Sequence, residues 1–153
     1  MSERIALAVD DASANRDFLE RLLNGAGFKV RSAGTGAAAL QAIEGLSQLS
    51  LAMVDWKLPD TTGLELATVI RERFPDTYLI IATMYDERSM MEAAFNKGCN
   101  VFLVKPHGFM ELFQKLTATD IRDLRTGPNL VIDQYGPRLF KGSTGTMPKV
   151  TGA

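Results

Sequence analysis

The sequence predicts a doubly wound α/β domain. Three features point to it. Four short, unbroken apolar runs recur at Ile5–Val9, residues 51–54, residues 78–82 and Val101–Val104. A fifth stretch, Phe28-Lys29-Val30-Arg31, alternates instead, and helical periodicities fill the gaps. Unbroken runs of this length suit strands buried on both faces of a parallel sheet, while alternation implies one wet face, as at a sheet edge. Five strand-then-helix repeats are spaced too closely for a barrel and supply helices for both faces of one sheet. The strand order 2-1-3-4-5 fits, because it puts the alternating second strand on the edge.

Taken in order, the first strand stops at Asp10-Asp11, and a stripe of Phe18, Leu19, Leu22 and Leu23 marks the helix after it. Ser13 or Asp11 is expected to cap that helix, with Gly25 or Gly27 near its stop. Residues 63–74 form a helix that ends before Pro75. Asp86 is expected to cap a helix running through Asn96, with Gly98 just past its end. Phe109, Leu112, Phe113 and Leu116, at i, i+3, i+4 and i+7, define the last helix. Beyond Leu116 the pattern fades. Residues 125–128 and 142–148 read as loop or disorder, with apolar islands at residues 130–132 and 139–140. The expected organisation is one domain over residues 1–118 and a partly disordered C-terminal extension over 119–153 that is no separate domain.

At 153 residues, 46% hydrophobic and 23% charged, the chain suits one packed core with a modest extension. The formal net charge is −1, divided as −3 before Thr117 and +2 from Thr117 onward. Neither part has the basic excess of a nucleic-acid binder. The 37-residue tail is too small for a helix-turn-helix domain with its own core, so output by protein contact is expected. Cys99 is the only cysteine, which excludes a disulfide framework and a thiolate zinc site. With no secretory signal and no run approaching the roughly 20 apolar residues of a membrane span, a cytoplasmic protein is expected.

In an open parallel sheet, ligands bind beyond the carboxyl ends of the strands where the winding reverses. The residues there are Asp10-Asp11 after the first strand, Asp55 after the third, Thr83 after the fourth and Lys105-Pro106 after the fifth. Strands one and three are neighbours in the expected order, so Asp10, Asp11 and Asp55 converge. Three close carboxylates repel and raise one another's pKa unless a cation is present. An all-oxygen acidic pocket suits Mg²⁺. Thr83 can donate to a phosphoryl oxygen and Lys105 adds a movable positive charge. Such a set around a carboxylate suits phosphoryl transfer to aspartate.

This constellation resembles the receiver domain of two-component response regulators, over about Ile5 to Leu116. The matching stretches are Val9-Asp10-Asp11, the segment from Asp55 to Gly63 (Asp-Trp-Lys-Leu-Pro-Asp-Thr-Thr-Gly), Thr83, and Phe102-Leu-Val-Lys105-Pro106. The resemblance implies a flavodoxin-like five-stranded sheet. It implies Asp55 as phosphoacceptor, with Asp10, Asp11, Asp55 and the backbone carbonyl of Lys57 around Mg²⁺, and with Thr83 and Lys105 on the phosphoryl oxygens. Phe102 occupies the family's aromatic switch position, and the Lys105-Pro106 peptide is expected to be cis. A histidine kinase or phosphotransfer protein is the implied donor. A downstream protein, or a homodimer through the fourth helix, fifth strand and fifth helix, is the implied output. Such a protein is no conventional enzyme and catalyses only its own phosphorylation and dephosphorylation.

Two residues depart from the family pattern. Met84 follows Thr83 where Ala or Gly is usual, and Lys57 places a cation two residues beyond Asp55. Taken singly, Asp10-Asp11 is an ordinary helix cap, Asp55 a turn residue and Lys105-Pro106 a solvated turn; only their joint placement carries the reading. Two rival readings differ in class. A haloacid-dehalogenase-like phosphatase needs an Asp-x-Asp pattern on its first strand, whereas this chain has Asp10-Asp11-Ala12. A pseudo-receiver binding module, not phosphorylated, usually lacks an acidic residue or the lysine present here.

Overall fold

The computed structural model describes residues 4–140. Strands β1 (Ile5–Val9), β2 (Lys29–Ala33), β3 (Leu51–Asp55), β4 (Tyr78–Thr83) and β5 (Val101–Val104) lie parallel in the order β2-β1-β3-β4-β5. The predicted order holds. β2 sits on the edge, and its exposure alternates from Lys29 to Ala33 as the sequence implies.

The five predicted strands are all present, and a C-terminal hairpin extends the sheet past them. β6 (Leu130–Asp133) pairs parallel with β5, and β7 (Gly136–Leu139) pairs antiparallel with β6, giving seven strands. The apolar island at residues 130–132 is a strand, and Leu139 of the second island ends another. β6 satisfies backbone groups that β5 would otherwise leave open at a sheet edge. The turn between β6 and β7 is Asp-Gln-Tyr-Gly, in which an Asp133 side-chain oxygen accepts from Tyr135 N at 2.9 Å and Gly136 takes the left-handed φ of 90°. Aspartate first and left-handed glycine last is ordinary tight-turn chemistry. Residues 142–148, read as loop from the sequence, lie outside the described residues.

The helices are α1 (Ser13–Gly25), α2 (Gly36–Ala42), α3 (Gly63–Arg73), α4 (Arg88–Asn96), α5 (Gly108–Ala118) and α6 (Ile121–Arg125). Two expected caps are absent. Neither Ser13 nor Asp11 caps α1: Ser13 is already helical and Ala12, which has no side-chain acceptor, holds the cap position, while the Asp10 carboxylate accepts the Ala12 amide at 3.0 Å. α4 begins beyond Asp86, with Glu87 at the cap and its carbonyl accepting from Met90 and Met91 at 3.1 Å. Gly98 does follow α4 with φ 94°, and Gly27 follows α1 with φ 96°.

Because side chains alternate along a strand, the sheet divides its apolar residues between two layers. Leu7, Val9, Val54, Ile81, Phe102 and Val131 face the side covered by α2, α3 and α4. Ala6, Ala8, Met53, Ile80, Leu103 and Ile132 face α1, α5 and α6. All six residues of β4 are buried, as befits the middle of the sheet. Arg71 at the end of α3 pins the opposite edge of the core. All five of its N–H groups can be accounted for: Nε and one Nη2 proton go to Gly98 O, another Nη2 proton to Asn100 Oδ1, and Nη1 to Pro75 O and Thr77 O.

Candidate functional site

The register of the strands aims the polar residues. Val9 of β1 is opposite Val54 of β3, so Asp10 and Asp55, each one residue further on, stand side by side. Thr83 at the end of β4 is opposite Val104 of β5, which places Lys105 beside it. An open cleft of about 710 Å³ lies over these strand ends, and Asp10, Asp11, Asp55, Thr83, Met84 and Lys105 are among its lining residues.

Asp10, Asp11 and Asp55 each turn one carboxylate oxygen to within 4.8 Å of the others, the one such grouping among the described residues. The Lys105 ammonium donates to Asp55 Oδ1 at 3.1 Å and to Asp10 Oδ2 at 3.3 Å, and the exposures of the three side chains are 11%, 12% and 3%. Burial pushes the Asp55 carboxyl above its ordinary pKa; Lys105 pulls it back, and the Asp10 and Asp11 charges push the same way as burial. Three carboxylates thus face one ammonium, leaving excess negative charge in a partly desolvated place. That all-oxygen donor set fits a small, hard dication.

The surrounding chain holds these groups still. Asp10 accepts from the Ala12 amide and from Asn15 Nδ2, at 3.3 and 3.2 Å to its two oxygens, while its carbonyl accepts from Arg16 at 2.8 Å. Behind Asp55, Gly63 N donates to Trp56 O at 2.7 Å. A Cβ at Gly63 would stand 2.5 Å from the Asp55 carbonyl oxygen, so only glycine lets α3 begin so close under the strand end. Asp60 accepts from Gly36 N and Ala37 N at 2.8 and 3.0 Å, tying the loop after β3 to the start of α2.

The Thr83 hydroxyl is buried and accepts from Tyr85 N at 3.4 Å. Phe102 is fully buried, with its ring edge-on to Trp56 at 6.4 Å. The Lys105-Pro106 peptide is cis, as the resemblance implies. Met84 is 72% exposed at the mouth of the cleft, and Lys57 lies on the same rim. His107 is exposed at the start of α5, and the Cys99 thiol is buried with its pKa driven up by burial, so neither belongs to the site.

Residues 6–117 match the response regulator receiver domain family. The chain belongs to that family. Similar receivers include the photosynthetic apparatus regulatory protein RegA of Rhodobacter capsulatus, 30% identical over 117 residues that make up 76% of this chain and 63% of RegA. Chemotaxis protein CheY1 of Helicobacter pylori is 28% identical over 72% of this chain and 91% of its own length. A CheY-like receiver domain protein from Methanospirillum hungatei superposes with a TM-score of 0.71 at 28% identity, covering 80% of this chain and 97% of that one. A Thermotoga maritima cyclic di-GMP phosphodiesterase matches over 29% of its length, so this chain spans less than two thirds of some of its relatives. The acidic pocket and Lys105 of this receiver are consistent with phosphorylation-regulated signalling, and receiver domains pair with histidine kinases.

Asn15 is the receiver's site residue that sequence reasoning missed. Its signal was faint, a polar side chain in the first turn of α1 facing back toward Asp10.

Proposed function

We propose that this receiver is a phosphorylation-controlled switch that accepts a phosphoryl group on Asp55. The observation that carries the reading is the placement of the Asp55 carboxylate 3.1 Å from the Lys105 ammonium and beside Asp10 and Asp11 at an open cleft. The donor is a phosphohistidine of a kinase or phosphotransfer protein. An Asp55 oxygen attacks phosphorus, the P–O bond forms as the P–N bond breaks, and the departing imidazole takes a proton from solvent. Hydrolysis reverses the state when water attacks the same phosphorus and returns the carboxylate.

Asp10, Asp11, Asp55 and the Lys57 backbone carbonyl would hold Mg²⁺. When bound, Mg²⁺ supplies positive charge against the carboxylates and the phosphoryl oxygens. Lys105, already touching both Asp10 and Asp55, is the group that follows the phosphoryl oxygen. Thr83 gives up its long bond to Tyr85 N and donates to a second oxygen. Phe102, fully buried with its ring edge-on to Trp56, is the side chain whose surroundings change when Thr83 shifts. Asp10 is the most enclosed of the three acids and is held by three donors, which suits a ligand better than the nucleophile of a phosphatase.

The output we propose is a change in contact with a downstream protein or a second copy of the chain. β6 already pairs with β5, so a partner at the α4–β5–α5 face meets helices and hairpin and not an open strand edge. The described extension holds the five-residue α6 and a β-hairpin, with no helix pair for reading DNA.

Trp56 adjoins Asp55 and lines the cleft, so its emission reports on the pocket. Emission should change on adding Mg²⁺ and again on adding beryllium fluoride as an acyl-phosphate mimic. Unaltered emission in both titrations, with mimic binding established by fluorine NMR, would refute the placement of Trp56 at the pocket, and no bound mimic in the presence of Mg²⁺ would sink the assignment of Asp55.

A further inference from the structure

The family match stops at residue 117, yet the chain continues into the sheet. Val131 of β6 is in register with Phe102 of β5 and shares its core layer. The Ile132 carbonyl lies so close to the start of α5 that a Cβ on Gly108 would be 2.7 Å from it. Both Val131 and Ile132 are wholly buried. β6 is therefore a fixed part of the receiver.

β7 is attached differently. Its residues after Gly136 are exposed, Leu139 by 56%. Just beyond it, the Phe140 ring stacks on Phe95 of α4 with centroids 4.5 Å apart and planes 29° off parallel. The Arg88 guanidinium, in the first turn of α4, stands 5.1 Å from the Phe140 ring centre. Phe140 N donates to Asn129 O at 3.2 Å. One aromatic side chain thus joins the hairpin to α4.

We propose that Phe140 is a latch holding the C-terminal hairpin to α4, and that phosphorylation of Asp55 loosens it. The inference rests on the reading of Asp55 as phosphoacceptor. The route between them is short. Residues 84–87 link Thr83 to Arg88, and the Thr83 hydroxyl now engages the Tyr85 amide within that link. Moving Thr83 to a phosphoryl oxygen gives up this bond and shifts the start of α4. Dispersion contact between stacked rings loses about a quarter to a half of its attraction over a gap of about 0.5–1 Å, so a small shift of Phe95 weakens the latch. Arg88 also has Glu92 within 3.7 Å, a second partner for its charge once the ring departs. Coupling is reciprocal: if phosphorylation loosens the latch, the docked latch opposes phosphorylation by the same factor.

The test uses the full chain with Mg²⁺ and beryllium fluoride, bound mimic being confirmed by fluorine NMR. Amide hydrogen exchange at Leu139 and Phe140 should speed up roughly three- to tenfold, while exchange at Val131 and Ile132 stays unchanged. Phe140→Ala should tighten binding of beryllium fluoride by a similar factor and raise the rate of phosphorylation by acetyl phosphate. Tyr135→Ala, at the 84% exposed tip of the same hairpin, should leave that rate at the wild-type value. Bound mimic with unchanged exchange at residues 139–140 overturns the latch and leaves the phosphoacceptor reading standing. An unaltered rate in Phe140→Ala, or an equal rise in Tyr135→Ala, overturns it too. No phosphoryl group on Asp55 under any condition overturns both.

Discussion

The role proposed for Asp55 comes at a cost to the fold. Burial raises its carboxyl pKa above 3.8, with the Asp10 and Asp11 charges adding to the rise and Lys105 opposing it. The folded protein therefore binds that proton more tightly than the unfolded chain, and stability falls as pH rises through the window above 3.8. At neutral pH without divalent metal, Asp55→Asn should unfold at a higher temperature than wild type. The gap should close as the pH drops below about 4, where both side chains are uncharged. Thermal scans in chelator across that range check both statements, and a gap that widens on acidification would contradict them. Met84 belongs to the same scale: it is 72% exposed and lines the cleft that Asp55 opens into, and we propose that it partly screens Asp55 from small donors and water. Met84→Ala should speed phosphorylation by acetyl phosphate, or hydrolysis, about two- to fivefold, worth about 0.4–1 kcal/mol in barrier. Stopped-flow or mass-resolved time courses would show it, and equal rates would mean the thioether lies out of the path. Asp10, Asp55, Thr83 and Lys105 are legible in the sequence because each directly follows an apolar run, where chain polarity and sheet order alone decide position. Asn15 is not legible, since nothing in a helix's first turn tells a cap from a buttress.

Among the elements, the long apolar runs translate into strands without correction, and helix starts are where reading and structure part. Asp86 and Ser13 are good capping residues by composition, but Ser13 is already inside α1 and the turn before α4 runs on to Glu87. α2 has seven residues and an alanine-rich face too weak to show as a stripe; Thr35 and Asp60 hold its first amides. The hairpin was hidden by brevity: a four-residue strand, a turn and a strand containing Pro137 leave only small apolar islands. Asp133 and Gly136 at first and last turn positions are the signal that could have found it. The elements at the far end of the sheet are joined by Arg71, whose five donors link α3 to the starts of β4 and β5. Asn100, one of its partners, also donates its backbone N–H to Leu79 O, accepts Leu79 N at its side-chain Oδ1 and accepts Leu130 N at its carbonyl. Arg71→Ala leaves partly buried carbonyls unanswered and should cost about 3 kcal/mol. Urea unfolding monitored by Trp56 measures it, and a loss under about 0.5 kcal/mol would show that water replaces the guanidinium.

For the whole molecule, the seven-stranded sheet sets the account. The receiver's site lies over the carboxyl ends of β1, β3, β4 and β5, and the hairpin extends the sheet beyond β5 from the far side. Among the described residues no helix is long and apolar enough to cross a membrane. The doubly wound topology was legible because buried parallel strands leave long apolar signatures, whereas the added strand β6 buries only Val131 and Ile132 among its apolar residues to the full. Everything proposed about switching, hairpin and partner depends on one covalent event. Intact-mass spectrometry after incubation with acetyl phosphate measures it most directly, comparing wild type with and without Mg²⁺ against Asp55→Asn. The account predicts one added phosphoryl group on wild type, present only with Mg²⁺ and absent from Asp55→Asn. A phosphoryl group retained on Asp55→Asn, or none on wild type with Mg²⁺, would contradict it.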